Sequence, residues 1–172
     1  VDVAIVARGL EPLEASAREL SQETGRRIVP IQVDTGNDES VRDMVRTAAD
    51  ALGHLDILVN CAALPGGATP PPSLSEITND HFWSDMNIKV MGYLRCARET
   101  APHMIQQGWG RIINISGLAA RQSGSTIGSM RNGALVAMTK NLADELGSSG
   151  INVTVVHPGM TRTERTPNTL ES

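Results

Sequence analysis

GWGRIINISG (Gly108–Gly117), ALVAMTKNLADELGSSGINVTVVHPG (Ala134–Gly159) and TRT (Thr161–Thr163) are the stretches on which the reading of this 172-residue chain turns. Arg111 to Ile115 is an aliphatic run of strand length that ends in Ser116. Leu135, Met138, Leu142 and Leu146 then recur at the spacing that puts side chains on one face of a helix. Val153 to Val156 reads as a second strand, closed by His157-Pro158-Gly159, and Thr163 follows four residues after that glycine.

The same alternation runs outward to the start of the chain, and it predicts a parallel sheet covered by helices on both faces. Val3 to Ala7 is a continuous apolar run, the pattern of a strand buried on both faces. Pro12 suits a first helical turn, and Leu13, Ala17 and Leu20 continue at helical spacing to Gly25. Ile28 to Val33 is the next strand. Asn37 can cap a helix whose first turn holds Asp38 and Glu39, where the macrodipole favours carboxylates. Val41, Met44, Val45, Ala48, Ala49 and Leu52 mark its apolar face, and Gly53 ends it. Ile57-Leu58-Val59 makes a third strand. Residues 64–75, LPGGATPPPSLS, predict a rigid irregular loop. A long helical region follows, with a kink expected at Ala101-Pro102. Neither an internal repeat nor a low-complexity linker interrupts residues 1–172, so a single α/β domain is expected.

Composition narrows the function classes. One Phe, one Tyr and two Trp leave the core to aliphatic side chains. Fifteen Lys and Arg against 19 Asp and Glu, without a basic cluster, argue against a nucleic-acid surface. Apolar runs fall short of the roughly 20 residues of a membrane span. Cys61 and Cys96 are far apart and lack C-x-x-C spacing, which predicts a reduced cytoplasmic protein with two small buried thiols. The four His have no metal-ligand spacing, so no metal site is expected.

Taken together, the Gly108–Thr163 stretches resemble the short-chain dehydrogenase/reductase family, whose members bind a nicotinamide dinucleotide on a Rossmann-type doubly wound sheet. The resemblance covers essentially all 172 residues but begins at the family's second strand. The family's first strand and its Gly-rich turn, which receives the pyrophosphate at a helix N-terminus, are not found, and no G-x-x-x-G-x-G occurs. Under the resemblance, residues 1–172 are an incomplete NAD(P)-binding domain spanning the family's strands two to six, ending inside the segment used as a substrate lid.

The resemblance implies site residues one by one. Arg8 follows the first strand where the family reads the adenosine ribose; an Arg there can pair with a 2′-phosphate, which favours NADP over NAD. Asp34 matches the Asp that bonds the adenine amino group. Asn60-Cys61-Ala62 matches the Asn-Ala-Gly turn, with Asn60 locking neighbouring strands and Ala62 in the backbone segment beside the ribose. Pro158, Gly159, Thr161 and Thr163 match the segment that holds the carboxamide and the nicotinamide-side phosphate. Ser116 matches the Ser that hydrogen-bonds the substrate oxygen. The family's catalytic Tyr and Lys are replaced: aligning Gly133-Ala134-Leu135-Val136 puts Gly128 at the Tyr and Asn132 at the Lys. Asn87 looks like the family's helix Asn. Registering on Gly92, Cys96, Arg98 and Pro102-His103-Met104 puts Lys89 there instead, so Asn and Lys are exchanged. Either an ammonium remains near the cofactor, approached from the other helix, or Lys89 is a solvated helix residue of a decayed site.

The expected activity is hydride transfer between an alcohol and a carbonyl, or reduction of a polarised double bond, with Ser116, Lys89 and Asn132 at the reactive centre. The alternative is a non-catalytic dinucleotide-binding sensor or partner subunit. A small-molecule carbonyl or alcohol is the expected ligand. A homodimer or homotetramer is expected through the helices Asn87 to Gln107 and Ser129 to Gly147, the elements the family uses for its two-fold interface.

Overall fold

The computed structural model describes residues 1–64 and 70–159. Its elements alternate in the predicted order: β1 (Val3–Ala7), α1 (Leu10–Thr24), β2 (Ile28–Gln32), α2 (Asp38–Leu52), β3 (Ile57–Asn60), α3 (Asn79–Asp85), α4 (Gly92–Gln107), β4 (Gly110–Ile115), α5 (Thr126–Leu146) and β5 (Ile151–Val156). Among the described residues all strand pairing is parallel. β1 pairs with β2, Val3 opposite Ile28, while β4 lies between β3 and β5, with Ile57 opposite Arg111 and Gly110 opposite Ile151. β1 and β3 are not paired with each other, so the strands form a two-stranded and a three-stranded sheet.

Local chemistry accounts for the helix ends. Asn37 caps α2, its side-chain oxygen accepting from the Ser40 N–H at 2.9 Å, which satisfies one of the donors a helix start leaves open. Gly53 closes the same helix at φ 84°, a conformation in which a Cβ would be strained. Residues 65–69 of the expected loop 64–75 lie outside the described residues; at its end is a short 3₁₀ turn, Leu74–Glu76, where Ser73 and Glu76 bond reciprocally as a capping box.

α1 and α2 cover opposite faces of β2, as a doubly wound arrangement requires. Ala17 and Ser21 of α1 line a groove with Ile28 and Pro30, whereas Val41, Met44, Val45 and Ala48 of α2 pack on Ile31, Val33 and Val29. Cys96 of α4 and Leu58 of β3 join that same cluster, so apolar packing bridges the two sheets. A second cluster sets Ala97, Ala101 and Met104 of α4 and Leu146 of α5 against Ile112, Ile151 and Val153.

Two expectations fail and one is refined. β1 is not buried on both faces: Val3 and Val6 are exposed, as are Ile57 and Val59 of β3. A strand is buried only where neighbours cover it, and β1 has a single paired edge. Cys61 is exposed while Cys96 is buried, because Cys61 lies beyond the end of β3 and Cys96 is in the α2–α4 contact. The long helical region is interrupted by a π-helical turn, Met86–Met91, between α3 and α4, and α4 itself runs through Pro102 to Gln107.

Candidate active site

Strand β4 carries Ser116 to the end of the sheet, where its N–H donates to the Val156 carbonyl at 2.8 Å and extends the β4–β5 ladder by one residue. The C-terminal edge of a parallel sheet is where α/β folds bind ligands. Against Ser116 two helical segments converge. Lys89 enters from the π-helical turn and Asn132 from α5, and Ser116, Lys89 and Asn132 are all buried. The Lys89 ammonium donates to the Ser116 carbonyl at 3.1 Å, and the Ser116 hydroxyl donates to the Asn132 carbonyl at 3.4 Å. The three residues singled out from sequence therefore meet. Asn87, the other candidate for the helix Asn, points elsewhere: its side-chain amide donates to the Gly36 carbonyl at 3.2 Å, joining the π-helical turn to the loop before α2.

A π-helical turn adds a residue to the helical circuit and re-aims the side chains on it, and such turns concentrate at functional sites. Here it delivers a lysine into the interior, at 5% exposure. A solvated helix face is thus excluded as its environment. Burial first, and then the Arg131 guanidinium, pull Lys89 down to about 8 against the opposing pull of Asp85 and Cys61. An ammonium has three donors and the Ser116 carbonyl takes one, which leaves N–H groups for another oxygen.

Tyr93, the chain's only tyrosine, is fully packed and its hydroxyl donates to the Ile115 carbonyl at 3.1 Å. Burial pushes that hydroxyl well above its usual range, so it holds its proton. Gly128 lies in the first turn of α5, its N–H donating to the Ser125 hydroxyl at 3.1 Å. A Cβ added there would come within 2.8 Å of that hydroxyl, so the position closes on its own helix cap.

The cofactor candidates lie at the C-terminal ends of their strands. Arg8 follows β1 and is exposed; its carbonyl accepts from the Gln32 amide at 2.7 Å, and its guanidinium has no ion pair among the described residues. Asp34, beyond β2, uses its carboxylate to accept from the Gly36 N–H at 2.9 Å. Asn60 ends β3 and donates to Asn114, which donates in turn to Thr139, both at 3.0 Å, so a buried polar chain ties β3 through β4 to α5. Ala62 is half-buried, and Pro158 and Gly159 are exposed beyond β5. Thr161 and Thr163 lie outside the described residues.

Sequence reasoning missed an ion pair beside the site. Arg131 of α5 reaches Asp85 at the end of α3, one guanidinium nitrogen lying 2.7 Å from both carboxylate oxygens. The available signal was opposite charges placed four residues before Lys89 and immediately before Asn132. Also missed was the contact of the His157 ring with the Gly117 carbonyl at 3.2 Å.

The family model described as short chain dehydrogenase matches residues 1–172, and the chain belongs to that family. It is 34% identical over 140 residues to a short-chain reductase, NovJ, of Streptomyces niveus, covering 81% of this chain and 52% of the relative. Among solved structures it resembles a putative short-chain alcohol dehydrogenase of Sinorhizobium meliloti, with TM-score 0.87, 28% identity, 99% of this chain and 66% of that one covered. L-sorbose reductase of Gluconobacter frateurii, solved with NADPH and L-sorbose, superposes at TM-score 0.84 and 28% identity over 92% of this chain and 60% of that one. The chain thus spans roughly half to two thirds of the length of these proteins.

Proposed function

We propose that the protein is a nicotinamide-dependent oxidoreductase, with NADP preferred over NAD, in which a buried lysine replaces the usual proton donor. The observation that carries this reading is the Lys89 ammonium held 3.1 Å from the Ser116 carbonyl, inside the protein. A general acid works best with a pKa close to the operating pH, and burial tunes lysines into that range.

The residues present fit such a cofactor. Asn132 is 2% exposed and its side-chain oxygen has no hydrogen-bond partner among the described residues, an arrangement that is costly unless a further donor completes it. A ribose hydroxyl is a donor of the right kind. Arg8 would face a 2′-phosphate, and Asn60, Ala62, Pro158, Gly159, Thr161 and Thr163 would line the remainder of the dinucleotide. When bound, the cofactor supplies or accepts the hydride. The protein's part is proton handling and orientation. Ser116 can turn its hydroxyl from the Asn132 carbonyl to a substrate oxygen. The free N–H groups of Lys89 polarise that oxygen and deliver its proton directly or through a water. A small carbonyl or alcohol is the proposed substrate.

Association through the helices α4 and α5 is part of the proposal, supported by exposed Trp83, Met91, Ile105, Met130 and Val136 on these elements and the segment before α4. Gly128, where the resemblance places the proton-donating Tyr, supports the second reading of a dinucleotide-binding subunit without turnover. Steady-state assays with NADPH and NADH against a panel of aldehydes, ketones and enones separate the two. Reduction of any panel member supports the enzyme; binding of NADPH without turnover of any supports the sensor.

A further inference from the structure

The only two buried side-chain polar atoms left without a partner among the described residues are Arg131 Nε and Asn132 Oδ1, consecutive residues beside Lys89. Asn132 belongs to the proposed cofactor site; Arg131 belongs to a different device. Its side chain and that of Asp85 are 20% and 14% exposed, so the pair is largely withdrawn from water. It joins α5 to the residue that immediately precedes the π-helical turn, 46 positions away in sequence. We propose that Asp85 and Arg131 form a positioning pair that pins the π-helical turn against α5 and so holds the Lys89 ammonium in its inward pose at Ser116. The inference rests on the reading of Lys89 as the site's acid for its functional meaning, but its physical content stands separately.

The groups facing Lys89 can be named from every element around it. Asp85 approaches from α3 and Arg131 from α5. The Cys61 thiol comes from the end of β3, and the Tyr93 ring, 6.0 Å from the ammonium, from α4. Tyr93 is neutral because burial raises its hydroxyl. The guanidinium opposes the charged form of Lys89 and the carboxylate favours it. The two members of the pair therefore act on Lys89 with opposite signs, although they act on the fold with the same sign.

The chain has only two lysines, Lys89 and Lys140, and Lys140 is exposed, so lysine side-chain NMR gives one signal of interest and one internal reference. The experiment is a pH titration of the Lys89 side-chain resonance in the protein carrying Asp85→Asn, Arg131→Gln, or both. Arg131→Gln removes an opposing charge and the pin together and is expected to move the Lys89 midpoint up; in Asp85→Asn the lost carboxylate and the lost pin act in opposite directions, so its shift is the smaller. The double variant leaves no unpaired charge, so it keeps the proposal testable if a single variant does not fold. It removes the pin without changing the net charge beside Lys89, so its midpoint is expected to rise by about one pH unit as the ammonium leaves its buried pose, with Lys140 unmoved throughout. A double-variant midpoint within a few tenths of the wild-type value, or a fall in Arg131→Gln, overturns the proposal. This readout needs no turnover: a raised midpoint in the double variant together with an activity indifferent to Lys89 would refute the functional reading and leave the pair's role intact.

Discussion

Replacing Lys89 by Met is predicted to make the protein more stable while damaging its site. An ordinary lysine titrates near 10.5, and burial brings Lys89 to about 8. That gap corresponds to about 3 kcal/mol of folding free energy lost to holding the charged form inside. Because the unfolded chain binds this proton more tightly than the folded one, the cost is complete below about pH 8. It shrinks as pH rises from there and is gone above 10.5, where both states are neutral. Methionine fills similar space without the charge, but it strips the Ser116 carbonyl of its donor, which costs about 1 kcal/mol. The net expectation at pH 7 is a gain of about 2 kcal/mol, or about 5 °C in Tm for a domain of this size. Urea denaturation of wild type and Lys89→Met at pH 7, 9 and 10.5 measures it. The gain should fall steadily across that series and reverse to a small loss at the top. A variant less stable at pH 7, or a difference that does not change with pH, refutes the account of a buried ammonium.

Arg8→Asp should invert the cofactor order, from NADPH bound more tightly to NADH bound more tightly, since it exchanges a phosphate partner for a like charge and a ribose acceptor; calorimetric titration checks it, and unchanged affinities count against Arg8 as the selector. Gly110→Ala should destabilise by about 2 kcal/mol, because the added methyl would lie within 2.5 Å of Met104 Sδ and 2.8 Å of its Cβ, and Met104 is fully buried with nowhere to move; chemical denaturation reads the loss. Sedimentation at micromolar concentration should show a dimer or tetramer that weakens when Met130 and Val136 on α5 are replaced by Asp.

Much of the fold was legible because its signals are local. Asn37 advertises its helix start by being able to bond the Ser40 N–H, and Gly53 advertises the end by tolerating a positive φ. The aliphatic run Arg111 to Ile115 reads as a strand whichever neighbours it has. Coverage was not legible: Val3 to Ala7 has the composition of a doubly buried strand, yet burial depends on partners elsewhere in the structure. Cys61 was misjudged for the same reason. At the site, register with the family put Lys89 in place of the helix Asn and Asn132 in place of the Lys, but left open whether Lys89 faced the pocket or the solvent. The π-helical turn that aims Lys89 inward left no mark in the sequence, because MNIKVM fits an ordinary helix equally well. The Asp85–Arg131 pair was hidden differently, since each member alone resembles a solvated surface charge until the two are brought together.

The claim at the centre of this account is that the Lys89 ammonium supplies the proton, and the pH dependence of turnover tests it most directly. Carbonyl reduction with NADPH should follow a basic limb near pH 8 in the wild type, falling as Lys89 loses its proton. Lys89→Met should lower kcat/KM by about 10²-fold or more and abolish that limb. A variant whose rate and profile match the wild type would contradict the account and reduce Lys89 to a buried structural lysine.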